Sequence, residues 1–177
     1  MKTKGLSQYE ALILKNLLAK AKFPLPSAAF DGWVENLPTV ALELAIVRQS
    51  KGGWGWEIFL ANRGPKDKFW PNEWHMPGRT IRQNELLQES YRRLLQSEMF
   101  SNGRDFGDLR FIGKCELSKG DGNRHCRRGH EIALLHVVEF HGKILKKGKF
   151  FPIAKLPAYT VPHHHTLVTM VKKFLGV

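Results

Sequence analysis

The stretch from Trp70 to Ser101, WPNEWHMPGRTIRQNELLQESYRRLLQSEMFS, constrains the fold more tightly than any other part of the chain. Leu87, Tyr91, Leu94 and Leu95 recur at helical spacing behind Asn84, a favoured N-cap residue. Residues 85 to about 98 are therefore expected to form one amphipathic helix. Ahead of them Pro77-Gly78 interrupts a short apolar run. The segment reads as strand, glycine turn, polar loop and helix, in that order.

This arrangement resembles the box of the Nudix hydrolases: Gly, five residues, Glu, seven residues, then Arg-Glu-aliphatic-x-Glu-Glu-x-Gly-aliphatic. With the box glycine set on Arg79, the isolated glutamate falls on Glu85, the arginine on Arg93 and the last glutamate on Glu98. Gly78 stands one residue early, and Leu95 keeps the aliphatic position. Leu94 and Ser97 stand where the box has its other two glutamates, and Phe100 replaces the later glycine. The resemblance covers roughly residues 38 to 175, with motif support around 77 to 98.

Chemistry explains what these departures cost. Hydrolysis of a diphosphate of the kind the resemblance implies uses divalent cations that bridge phosphate oxygens and activate water. Such ions take hard oxygen ligands. Positions 94, 97 and 98 are spaced i, i+3, i+4, so glutamates at all three would face one metal cluster. Here that face reads Leu, Ser, Glu. Leucine supplies no ligand and serine a weak neutral one, which preserves the architecture better than the reaction. Glu85 and Arg93 keep the structural part of the box.

A chain of 177 residues fits one domain with a real core. Residues 1 to 37 are expected to hold an added N-terminal helix and an irregular connection, and 38 to 177 the Nudix-like α/β domain, a mixed β-sheet between helices. Ser7 and Glu10 form a candidate capping box, and Leu14, Leu17, Leu18 and Ala21 an apolar stripe ahead of Pro24 and Pro26. Strands are expected at Val40 to Arg48, Trp56 to Arg63, Asp108 to Leu117, Glu131 to Phe140 and Phe150 to Ile153. A turn at Lys51-Gly52-Gly53 joins the first two, and Pro162 opens a last helix carrying Leu167, Met170, Val171 and Phe174.

Twenty-eight Lys and Arg against 16 Asp and Glu give a net charge of +12, which favours polyanionic partners such as nucleotides or RNA; a solvated basic surface is the equal alternative. Arg124, His125, Arg127, Arg128 and His130, with Lys143, Lys146, Lys147 and Lys149, hold the densest positive charge. Cys115 and Cys126 read as free thiols of a cytoplasmic protein. No run approaches the roughly 20 apolar residues of a membrane span, and no membrane partner is expected.

The resemblance also implies a further metal- or water-holding glutamate beyond the box, for which Glu139 is the candidate by position and Glu131 the other; a water-facing strand carboxylate is the alternative. Glu98 and Glu139 are then the catalytic and metal-binding candidates, for Mg²⁺ or Mn²⁺ if the protein is active and for none otherwise. Gly78, Arg79, Arg82 and Trp74 are the substrate-binding candidates, since arginines grip phosphate bidentately and tryptophan stacks on bases. For Arg79 and Arg82 the plainer reading is pairing with Glu85 or Glu89, and for Trp70 or Trp74 it is core packing. His163-His164-His165 is expected to be three ordinary exposed histidines. Two functions follow: a weakly active hydrolase of nucleoside diphosphates linked to a moiety X, or a binding protein for nucleotide or RNA.

Overall fold

The computed structural model describes residues 5–53, 55–99, 105–118, 129–142 and 148–177, with the side chains at 98 and 99 outside the description. The chain divides into two units, Met1–Trp33 and Val34–Val177. In the first, α1 (Gln8–Lys20) begins at the expected capping box: the Glu10 carboxylate accepts from the Ser7 peptide N–H at 2.8 Å, and the Ser7 hydroxyl accepts from the Glu10 N–H at 3.3 Å. None of its residues is buried.

The connection that follows is not irregular. Ser27–Asn36 form a helix, α2. Pro24 and Pro26 precede its first turn and Pro38 follows its end, so no ring interrupts the i to i−4 bonds. The Pro26 carbonyl accepts the Phe30 N–H at 3.0 Å, and Gly32 is tolerated inside the helix.

The second unit is built on β1 (Thr39–Gln49), whose residues are almost all buried. It pairs in parallel with β6 (Glu131–Glu139) and antiparallel with β2 (Trp56–Asn62) and the short β4 (Gly78–Thr80). β3 (Trp74–His75) and β7 (Gly148–Pro152) pair with β2, and β5 (Arg110–Leu117) with β6. The described strands thus form one mixed sheet in the order β3-β2-β1-β6-β5, with β4 and β7 branching from it.

Strand alternation gives the sheet two apolar faces. Leu42, Leu44 and Ile46 meet Tyr91, Leu94 and Leu95 of the helical segment on one face. Ala45, Val47, Leu135 and Val137 meet Leu167, Val168 and Val171 of α4 (Pro162–Leu175) on the other. The segment expected to begin at residue 85 starts later. α3 runs from Leu87 to Leu94 and continues as a π-helical turn, Leu95–Met99. Asn84 does not cap it but takes φ +58°, a left-handed conformation that asparagine tolerates, and the Glu89 carboxylate accepts the Leu86 N–H at 2.8 Å instead.

The adjacent histidines are not three exposed side chains. His163 and His164 are buried, because the first turn of α4 faces the core beside Trp70, and His165 alone is exposed. His164 Nδ1 accepts the Met76 N–H at 2.8 Å, which a doubly protonated ring could not do. Burial first, then the neighbouring His163, His75 and Arg63, hold its pKa well below the ordinary value.

The unfolded chain therefore binds a proton at His164 that the folded chain refuses. Its contribution to stability is complete above pH ~6.5 and is lost below it, by up to about 1.4 kcal/mol per pH unit. Urea unfolding at pH 7.5 and 5.5 should show that loss, and His164→Asn, which keeps an acceptor near Nδ1 without a titrating ring, should flatten it by about one proton.

Candidate functional site

The loop between β4 and α3 is closed by one ion pair. Arg93 Nε and Nη2 donate to the two carboxylate oxygens of Glu85 at 2.5 and 2.6 Å, while Nη2 also donates to the Thr80 carbonyl at 3.0 Å. The second Glu85 oxygen accepts the Arg82 peptide N–H at 2.9 Å. One guanidinium thus joins strand, loop and helix. The Arg93 hydrogen bonds lead in drawing the Glu85 carboxyl down to about 2, with the Arg82 N–H and the charges of Arg93 and Arg82 assisting against desolvation. Glu85 and Arg93 thus hold the loop onto the helix.

Gly78 opens β4 opposite Glu43 of β1 rather than forming a turn. A Cβ at 78 would overlap the Glu43 carboxylate, so the glycine answers a close approach. Glu43 is itself buried, beside Arg63, Glu131, His163 and His164 around a cavity of about 20 Å³. The sequence offered one signal for it, a single carboxylate inside the apolar run VALELAIV.

Arg79 projects on the opposite side of β4, its Cα partner being Leu42. Its guanidinium donates to the Ser97 hydroxyl and, at 3.3 Å, to the Arg93 carbonyl. Ser97 Oγ donates in turn to the Leu94 carbonyl at 3.2 Å. Leu94 is fully buried in the core between α3 and the sheet. Of the three helix positions that a metal cluster would use, one is therefore core and one is bonded to an arginine; the Glu98 side chain lies outside the description.

Leu94 and Ser97 leave a divalent-metal cluster short of two carboxylates. Two unit charges about 4 Å apart interact by roughly 4 kcal/mol at an effective dielectric of 20, so a dication beside the Arg79 guanidinium meets roughly twice that repulsion with no carboxylate at 94 or 97 to offset it. Among the described residues no three His, Cys, Asp or Glu side chains converge on a point where an ion could be held.

Glu139 ends β6 beside Val47 of β1. Its register puts it on the face of Val137 and α4, whereas Val138 and Phe140 face α3. It lines a groove of about 460 Å³ with Trp56, Arg110, Val137, His141 and Phe174. The structure thus separates Glu139 from the box helix by the thickness of the sheet. Glu131, the other candidate, sits at the far end of β6, beside Thr39 and buried in the cavity under Gly78.

Trp74 packs edge-on against Phe151 with centroids 4.9 Å apart, and Trp70 is buried against His163. Arg82 contributes its peptide N–H to the box loop. Arg124, His125, Arg127, Arg128, Lys143, Lys146, Lys147 and Cys126 lie outside the described residues. His130 pairs with Glu116 at 2.9 Å, and Cys115 is buried, its Sγ donating to the Glu116 carbonyl at 3.9 Å.

Glu85→Gln should destabilise the fold by about 2 kcal/mol, since it leaves a largely buried guanidinium short of its charge partner. The ionised pair contributes fully above pH ~4.5 and is lost as pH falls toward 2, so chemical denaturation at pH 7 and pH 3 should show the native and variant chains converging in acid. Gly78→Ala should also destabilise, by forcing the Glu43 carboxylate aside.

No family model matches the chain, and no curated protein matches it in sequence. Solved structures do match. The Nudix domain of Shewanella oneidensis NrtR, complexed with ADP-ribose, is 14% identical with a TM-score of 0.58, over 91% of this chain and 97% of that one. Caenorhabditis elegans Ap4A hydrolase is 13% identical at TM-score 0.59, over 78% and 99%. A MutT Nudix hydrolase from Burkholderia pseudomallei is 16% identical at 0.56, over 77% and 99%. With the mixed sheet between α3 and α4, and the Glu85–Arg93 pair closing the loop onto its helix, these likenesses make the chain a Nudix-fold protein.

Proposed function

We propose that the chain is a Nudix-fold binding protein for a nucleotide-like ligand, with phosphoanhydride hydrolysis weak or absent. The observation that carries this reading is the Arg79 guanidinium bonded to Ser97, beside a Leu94 that belongs to the core. The reaction needs positive charge supplied by ions on carboxylates. Here an arginine is bonded to Ser97, and positions 94 and 97 have no carboxylate to recruit an ion.

Binding without turnover suits such a design. An arginine can neutralise a phosphate through charge-assisted hydrogen bonds, but it does not lower the pKa of water as a metal does. Removing one well-placed charge stabiliser costs roughly 10²–10³ in rate, and two box carboxylates are replaced here. The groove beside Glu139 has the volume of a small-molecule site, with an apolar floor and a few polar side chains at its rim. Two of the neighbours support a nucleotide-like ligand by what they hold or act on, ADP-ribose in one and Ap4A in the other. The net charge of +12 favours phosphate-bearing partners in general, including RNA.

The test is product release from nucleoside triphosphates, dinucleoside polyphosphates, nucleotide sugars and dinucleotide cofactors with Mg²⁺ or Mn²⁺, beside calorimetric binding of the same panel. The native chain should turn over no faster than Glu98→Gln while binding at least one member. Turnover that disappears in Glu98→Gln would establish a working hydrolase and overturn the proposal.

A further inference from the structure

The sheet ends on β5, which among the described residues pairs with β6 alone. Its register shifts between Phe111 and Gly113, and from there the ladder runs unbroken from Gly113 opposite Leu135 to Leu117 opposite Glu131. The outer side of residues 113–117 is therefore a regular strand edge, and the peptide groups along such an edge are a template for another strand. Cys115 is its midpoint.

Charge is placed symmetrically about that midpoint. Cys115 and Leu117 are buried in the core shared with α4. Lys114 and Glu116, one residue to either side of Cys115, project from the opposite face, and both are exposed. The His130 imidazole meets the Glu116 carboxylate at 2.9 Å. A groove of about 320 Å³ lies along the same edge, with Thr166 and Met170 of α4 beside Lys114, Cys115 and Glu116, and leaves room next to β5.

An antiparallel copy of β5 fits this edge in one register. With a twofold axis at Cys115, Lys114 of each copy lies opposite Glu116 of the other, and the small Cys115 side chains face one another. Moving the axis one residue either way sets Lys114 or Glu116 against itself, and like charges directly opposite are destabilising. The strand is thus complementary to itself in charge. The net charge of +12 on each copy opposes association, but at ~0.15 M salt that repulsion is screened beyond about 8 Å, whereas residues directly opposite on paired strands lie about 5 Å apart. We propose that β5 pairs antiparallel with β5 of a second copy of this chain, about an axis at Cys115, through two Lys114–Glu116 pairs that join the two sheets into one.

Sedimentation velocity of the full chain from roughly 1 to 200 μM at ~0.15 M salt tests this. So short a ladder makes a small interface, and the native chain should dimerise with a dissociation constant of about 10–100 μM. Lys114→Glu and Glu116→Lys each set like charges opposite one another in both pairs, so each should weaken self-association about tenfold or more. An equimolar mixture of the two variants sets glutamates against lysines and should dimerise as the native chain does. A chain carrying both substitutions keeps the match and should do the same, which separates lost pairing from lost folding. A native chain that stays monomeric throughout would overturn the proposal and leave the edge to an extended segment of another protein. Single variants that dimerise as tightly as the native chain would also overturn it, by placing the interface elsewhere, as would failure of both the mixture and the doubly substituted chain to associate.

Discussion

Arg93 is the point on which the box segment depends. Its guanidinium reaches the Thr80 carbonyl, both oxygens of Glu85 and the Ser90 hydroxyl, so β4, the loop and α3 are tied through one side chain. With that tie made, α3 has to lay Tyr91, Leu94 and Leu95 on the sheet. The sheet in turn is organised by β1, which is covered on both faces and accepts β2, β4 and β6 as partners. Removing the arginine would free a loop, and with it the angle at which the helix meets the core.

The same geometry decides what the helix can do. A Nudix box turns a polar face of this helix toward a metal cluster. In this chain the corresponding positions have been absorbed into structure: Leu94 enlarges the core, and Ser97 joins Arg79 to the Leu94 carbonyl. The arginine side chain stands where the box has a glycine without one, and it holds a permanent cation against Ser97. Glu85 and Arg93 meanwhile keep the loop tied to the helix.

Much of this was legible in the sequence, and what was not has physical reasons. The core of the box helix, five of the strands and α4 follow from apolar periodicity, which reports burial directly. α2 was obscured by its flanking prolines and by Gly32, which signal interruption unless it is known that the rings fall outside the helix. Asn84 was misplaced because asparagine is suited equally to an N-cap and to a left-handed turn, and the Glu85–Arg93 pair selects the turn. Burial of His163 and His164 depends on which way the first turn of α4 faces, which three consecutive identical residues cannot encode. The placement of Glu139 depends on strand parity: one residue more or less in β6 would turn it toward α3.

Metal affinity tests the central claim most directly, because it reads the helix face without requiring a substrate. Mn²⁺ should be titrated into the full chain and into Glu98→Gln and followed by the loss of the free-ion paramagnetic resonance signal. The account predicts that the native chain holds no stoichiometric Mn²⁺ at sub-millimolar concentration and that the two titrations coincide. A stoichiometric site that is lost in Glu98→Gln would contradict it, by showing that a single carboxylate beside Arg79 still assembles a metal centre.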